Sequence, residues 1–215
     1  MQIFKYKDIN LQNIVLCKPE KINDVYTSKI SYKHENTTYD LSIQTPNDIT
    51  YDGSNLCFSL VKKGNFFTFI EEVKDRIIEI LYNNSENFFK GKKFSHDYIY
   101  QSVKNSIYIH DNGKAVVEDV TIQENCNIYD YFNDSLLDKP SLPYNGAFIL
   151  KFSHIEFVKK SIKIYMEICA VKLSLEKPVI DTSFLEEPQE IEEQEPELEE
   201  VKKETGELSD VEFFS

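Results

Sequence analysis

The sequence predicts an α+β, mostly β domain, a barrel-like sheet with a helix pair inserted between its strands, followed by a disordered acidic tail. Three observations carry this. Short apolar runs bounded by turn residues fill both ends of residues 1–180. One stretch between them, Phe66 to Leu81, instead spaces its apolar residues by three and four. From Asp181 all periodicity stops, and Glu-rich runs broken by Pro take over. A length of 215 residues suits one domain with an appendage, so the division falls at 1–180 and 181–215.

The elements follow in order. Ile3 to Tyr6 and Ile14 to Cys17 are strand-like runs, the second stopped by Pro19. Val25 to Lys33 and Thr37 to Thr45 flank His34-Glu35-Asn36, a hairpin signal. The second of these alternates Tyr39, Leu41 and Ile43 with Asp40, Ser42 and Gln44, so one face should be solvated. Pro46 to Asn55 reads as a loop and Leu56 to Lys62 as a strand. Asn65 can cap the helix that follows, whose stripe is Phe66, Phe69, Ile70, Val73, Ile77, Ile80 and Leu81. Asn83 to Phe89 adds a turn, and Ser95 can cap a shorter helix reaching Lys104.

Strands then return. Ser106 to His110 and Ala115 to Gln123 surround Asp111-Asn112-Gly113, a turn sequence. Asp130 to Asn145 is polar, contains Pro140 and Pro143, and reads as a loop. Ala147 to Val158 and Ser161 to Leu175 are the longest strand patterns, joined tightly by Lys159-Lys160. In the last, Ile162, Ile164, Met166, Ile168 and Ala170 share one face.

Charge is divided unequally. The net charge is −13, but residues 181–215 hold 14 acids against two lysines, a net of −12, which leaves −1 for the rest. Such asymmetry suggests an interaction tail. Arg76 is the only arginine. Lysine lacks the planar fork that reads guanine edges, so a nucleic-acid interface built from these bases grips phosphate with little regard to sequence. Lys5, Lys7 and Asp8 interrupt the start of the chain, so no secretory leader is expected, and no apolar run is long enough for a membrane helix. Cys17, Cys57, Cys126 and Cys169 show no paired spacing and are read as reduced, mostly buried thiols of an intracellular protein.

Enzyme signatures are poor. The six glycines form no phosphate loop or dinucleotide fingerprint. Ser95-His96-Asp97 imitates a triad on paper, but adjacent residues do not face one another, and a helix cap is the better account. No catalytic residue, metal site or cofactor is expected. The densest basic cluster is Lys90, Lys92 and Lys93, flanked by Phe88, Phe89 and Phe94. Bases interleaved with aromatics suit a single strand, with charge for phosphates and flat faces for unpaired bases. A second candidate is Lys159-Lys160 with Lys151, Phe157, Lys163 and Tyr165; a third is Lys62-Lys63. In the tail, Asp210 and Glu212 precede Phe213 and Phe214. Acids there would attract a basic partner and the two rings would enter its apolar pocket.

At this point the chain resembles the single-stranded-DNA-binding proteins of giant DNA viruses, a family similar to the phage replication protein with an OB-fold. The resemblance rests on a β-rich start closing in Ser42-Ile43-Gln44-Thr45-Pro46, and on the helix running into Asn84-Ser85-Glu86-Asn87-Phe88-Phe89-Lys90-Gly91-Lys92-Lys93-Phe94-Ser95. It is completed by a β-rich end with Phe157 and the run Ile162 to Leu173, and by the acidic, aromatic-tipped tail. It implies an OB-like barrel that holds single-stranded DNA during viral replication, recombination or repair, at an intracellular replication site. It also implies a tail that recruits polymerase, primase or helicase, no membrane, and an assembly that admits a homodimer. The alternative is a structural or adaptor protein, such as a virion or virus-factory component, that works through its tail and binds no DNA.

Overall fold

The computed structural model describes residues 2–132 and 140–174, all within the unit Met1–Glu176. Among the described residues twelve strands form one sheet, accompanied by three helices. Strands β1 (Phe4–Lys5), β2 (Ile14–Leu16) and β3 (Glu20–Ile22) are short, and a 3-10 turn at Tyr6–Asp8 cuts the first below its expected length. Strands β4 (Val25–His34) and β5 (Thr37–Gln44) form the expected hairpin. Its two turn residues, Glu35 and Asn36, have φ of 47° and 64°, the conformation whose twist matches the flanking strands. Ser42 corrects the expected solvated face of β5: it is fully buried, because the strand is covered on both sides here.

Strand β6 (Ile49–Tyr51) lies inside what reads as a loop, and β7 (Leu56–Ser59) stops three residues early. Helix α1 (Leu60–Asn83) starts directly from Ser59, so Asn65 is not its cap. The Leu60 N–H instead bonds the Gly113 carbonyl at 3.0 Å, and the first turn kinks at Lys63. The stripe of α1 buries Phe66, Phe69, Ile70, Val73, Ile77, Ile78 and Leu81, with Ile80 at its edge. Helices α2 (Ser85–Phe88) and α3 (His96–Ser102) follow, and the Ser95 hydroxyl accepts from the Tyr98 N–H at 3.2 Å as the cap of α3.

Strands β8 (Ile107–Ile109) and β9 (Lys114–Val117) make the second hairpin. The run expected as one strand breaks at Asp119, φ 60°, so β10 (Val120–Tyr129) is separate and pairs in parallel with β12 (Ser161–Leu173). Strand β11 (Tyr144–Val158) pairs with β4, β5, β6 and β12 and thus organises the sheet. A bulge at Cys169 shifts the inward phase of β12, so Val171 and not Ala170 completes the face begun by Ile162, Ile164, Met166 and Ile168. The pairings leave the sheet open, not closed into a five-stranded barrel, because β6 to β9 extend it beyond β11.

Of the four cysteines only Cys126 is buried, and Cys17, directly after β2, is exposed. No helix among the described residues is long and apolar enough to cross a membrane. The tail, with Asp210, Glu212, Phe213 and Phe214, lies outside the described residues.

Candidate nucleic-acid interface

One groove collects most of the basic-aromatic residues. Its floor begins where α2 ends. Lys90 and Gly91 both take left-handed φ, 54° and 84°, and the Gly91 N–H reaches back to the Glu86 carbonyl at 2.7 Å. This turn folds Phe94 back onto Phe89, with centroids 5.0 Å apart and rings nearly perpendicular. Phe89 meets Phe157 of β11 edge-on at 5.7 Å, and Phe88 lies 6.4 Å from the same ring. The Ser95 cap then starts α3, which places Tyr98 one helical turn beyond Phe94. The two rings stack 4.7 Å apart at 14°, and Tyr98 remains 44% exposed.

The opposite wall is the β11–β12 hairpin. Its tip holds Lys159, left-handed at φ 52°, and Lys160, and the Ser161 hydroxyl closes it by donating to the Val158 carbonyl at 3.0 Å. An Ile162–Val103 bridge and the Lys104 N–H on the Ile162 carbonyl, 2.8 Å, tie the hairpin to the end of α3. Strand β4 contributes Tyr26, register partner of Phe157. The Lys90 ammonium sits 4.5 Å from the Tyr26 ring centre. Its hydrogen bond to the hydroxyl, and then its charge, hold Tyr26 below the ordinary phenol value.

Electrostatics separate this groove from the other basic patches. Five lysines line it, Lys18, Lys90, Lys92, Lys159 and Lys160, and none has a carboxylate partner among the described residues. The single acid among the lining residues, Asp24, is bound at 2.6 Å by Lys21. Cations left unneutralised around half-buried rings are what an anionic, flat-faced chain requires.

Of the residues singled out in the sequence, the groove brings together Phe88, Phe89, Lys90, Lys92, Phe94, Phe157, Lys159 and Lys160. The others stand elsewhere. Lys93 turns away to Glu86 at 3.2 Å, and Lys63 reaches Asp48 at 3.7 Å beside the exposed Lys62. Lys151 lies between Asp40 at 3.5 Å and Glu167 at 3.9 Å. Lys163 pairs with Asp119 at 3.1 Å and covers the ring of Tyr165 at 4.6 Å. Tyr165 stacks on His154 at 4.7 Å, and burial, then its bond to Glu156, push its hydroxyl up to about 12. Sequence reasoning missed Tyr26, Lys18 and Tyr98. Only Tyr98 left a signal, its spacing of four from Phe94.

The triad-like residues are otherwise engaged: Ser95 caps α3, and His96 packs between Tyr82 and Tyr100. No cluster of three or more potential metal ligands occurs among the described residues.

No protein-family model matches the chain, and no curated protein matches it. Among solved structures it is similar to the single-stranded DNA-binding protein from bacteriophage Enc34, with a TM-score of 0.36 and 12% identity, covering 79% of this chain and 97% of that one. The C-terminal truncation of the phage protein gives a TM-score of 0.34 and 10% identity, covering 76% and 96%. Both are phage proteins, so neither speaks for the giant-virus family.

Proposed function

We propose that the chain binds single-stranded DNA in the groove between α2–α3 and the β11–β12 hairpin, with little preference for sequence. One observation carries this reading: five lysines without carboxylate partners among the described residues surround a floor of Phe88, Phe89, Phe94, Tyr98 and Phe157. Each lysine offers a point charge for a phosphate, and the partly exposed rings offer faces for unpaired bases. A duplex hides its base faces and has no use for such a floor. The residues argue for binding, with no chemical step attached.

The wider role belongs to the same proposal. A strand-holding protein serves replication, recombination or repair at an intracellular viral replication site. Residues 181–215 would provide the contact to a basic partner such as a polymerase, primase or helicase, with Asp210 and Glu212 attracting it and Phe213 and Phe214 entering its pocket.

Fluorescence anisotropy with labelled oligo-dT over a salt series tests the groove. Affinity should fall steeply with salt, by about 0.7 in the logarithmic slope for each phosphate contact on a single strand. Replacing Lys159 and Lys160 together by Ala should weaken binding and flatten that slope by about 1 to 1.5. Absence of binding at low salt sinks the proposal and favours the adaptor reading, in which the protein works through its tail and binds no DNA.

A further inference from the structure

The groove does not end at its own rim. Lys18, Pro19, Asn87 and Phe88 also line an adjoining cavity between α1 and β2, so the two spaces meet along a shared edge. The second cavity has different chemistry. Ile14, Leu16 and Ile80 give it an apolar wall, and Gln12, Asn84 and Asn87 supply amides. No carboxylate is among its lining residues, and it contains Arg76, the only arginine of the chain.

Arg76 is held in place from two sides. One terminal nitrogen bonds Glu79 at 2.6 Å and the other donates to the Gln12 carbonyl at 3.3 Å, while its Nε is buried with no hydrogen-bond partner among the described residues. Each terminal nitrogen carries a second N–H, so the guanidinium keeps donors beyond those the protein uses. Asn84 commits its amide nitrogen to the Ile80 carbonyl at 2.9 Å, which leaves its oxygen as an acceptor. The Gln12 side chain lines this cavity and not the groove, is exposed, and makes no hydrogen bond among the described residues.

Resting on the groove reading, we propose that the DNA strand continues from the groove past Lys18 into this cavity. A nucleotide there sets its phosphate against Lys18 and Arg76 and its base against Ile80 and Phe88, within reach of the amides. The apolar wall favours a base over a bare anion, and the planar guanidinium binds a phosphate more directionally than a lysine does. The binding site is therefore longer than the aromatic groove alone. It also explains why Ile80, which continues the stripe of α1, remains outside the fully buried core.

A length series of labelled oligo-dT tests this, from strands that just fill the groove to strands several times longer. Affinity of the full chain should rise with length and level off only when both spaces are filled. Arg76→Gln and Gln12→Ala should leave short strands bound as before, reach their plateau at a shorter length, and lose the gain seen with long strands. Arg76→Gln should also reduce the salt slope by about 0.7 for long strands only. Gln12→Ala removes an exposed, unbonded side chain outside the groove and keeps the backbone carbonyl that Arg76 uses, so it retains the test if loss of Arg76 disturbs α1. Two variants that follow the unmodified chain at every length overturn the continuation. A chain that binds not even short strands overturns the groove reading instead, which is a distinct result.

Discussion

Tyr98 and Phe89 show how differently two aromatic residues of one groove are employed. Phe89 touches Phe94 and Phe157 edge-on and serves as packing, whereas Tyr98 stacks on one neighbour and shows 44% of its surface to solvent. A base stacked on an aromatic ring contributes about 1–3 kcal/mol by alanine substitution. Tyr98→Ala should therefore weaken oligo-dT binding by about tenfold or more and change the urea midpoint little, since exposed side chains carry about 0.5 kcal/mol or less of stability. Tyr98→Phe should bind as before. Phe89→Ala should lower the urea midpoint itself, and a variant pair with the opposite pattern would reverse these assignments. At this scale the sequence was legible where the groove is local. Phe88 to Phe94 are neighbours in the chain, and the Lys159-Lys160 turn is set by the strands it joins. Lys151 and Lys163 were illegible because their neutralising partners, Asp40, Glu167 and Asp119, arrive through strand pairing with distant segments. Tyr26 enters the groove by the same kind of pairing, opposite Phe157.

Strand β11 carries the heaviest demands of any element. Near its start Gly146 faces Leu173 of β12 and Ile49 of β6 in register. A Cβ built on Gly146 would overlap the Lys172 carbonyl oxygen, and that backbone cannot yield without disturbing the β11–β12 ladder. Gly146→Ala should cost about 1–3 kcal/mol or more in a urea titration, as other overpacked sites do. Gly64, with nothing within 4 Å of a built Cβ, is the matched control and should accept Ala with little loss. Long periodic elements were readable in advance, notably α1 and the β11–β12 hairpin. Strands of three residues such as β6 were not, since three residues establish no period. The start of α1 was misread for a related reason: its first turn follows β7 without a break, and a tertiary bond to Gly113 secures it instead of a side-chain cap.

For the molecule as a whole, ion pairs laid across the sheet link stability to acid. Lys29 holds the Asp40 carboxyl below the ordinary value, chiefly by a hydrogen bond, with Lys151 adding its charge. Lys104 and then Lys163 do the same for Asp119, and the Ser54 and Asn55 groups for Asp52. A carboxyl lowered in the folded state adds stability above its unfolded value near 3.9, and that stability is lost as pH falls through the lower folded value. The urea midpoint should therefore hold from pH 7 to about 5 and drop below about 4. Replacing Asp40 and Asp119 together by Asn should lower it at neutral pH and shrink the acid drop. A double variant with an unchanged acid limb would show that these pairs do not set it.

The groove walls come from residues 18–26, 87–102 and 157–162, three segments spread over most of the described chain. Contacts between segments so far apart form late in folding. During synthesis the consequence is temporal. A ribosome that has not yet delivered the last hairpin holds Phe88 and Phe89 with no Phe157 to pack against and no Lys159 opposite them. Completion of the sheet and assembly of the groove are one event, so an unfinished nascent chain carries the lysines and rings of the first two segments but no groove.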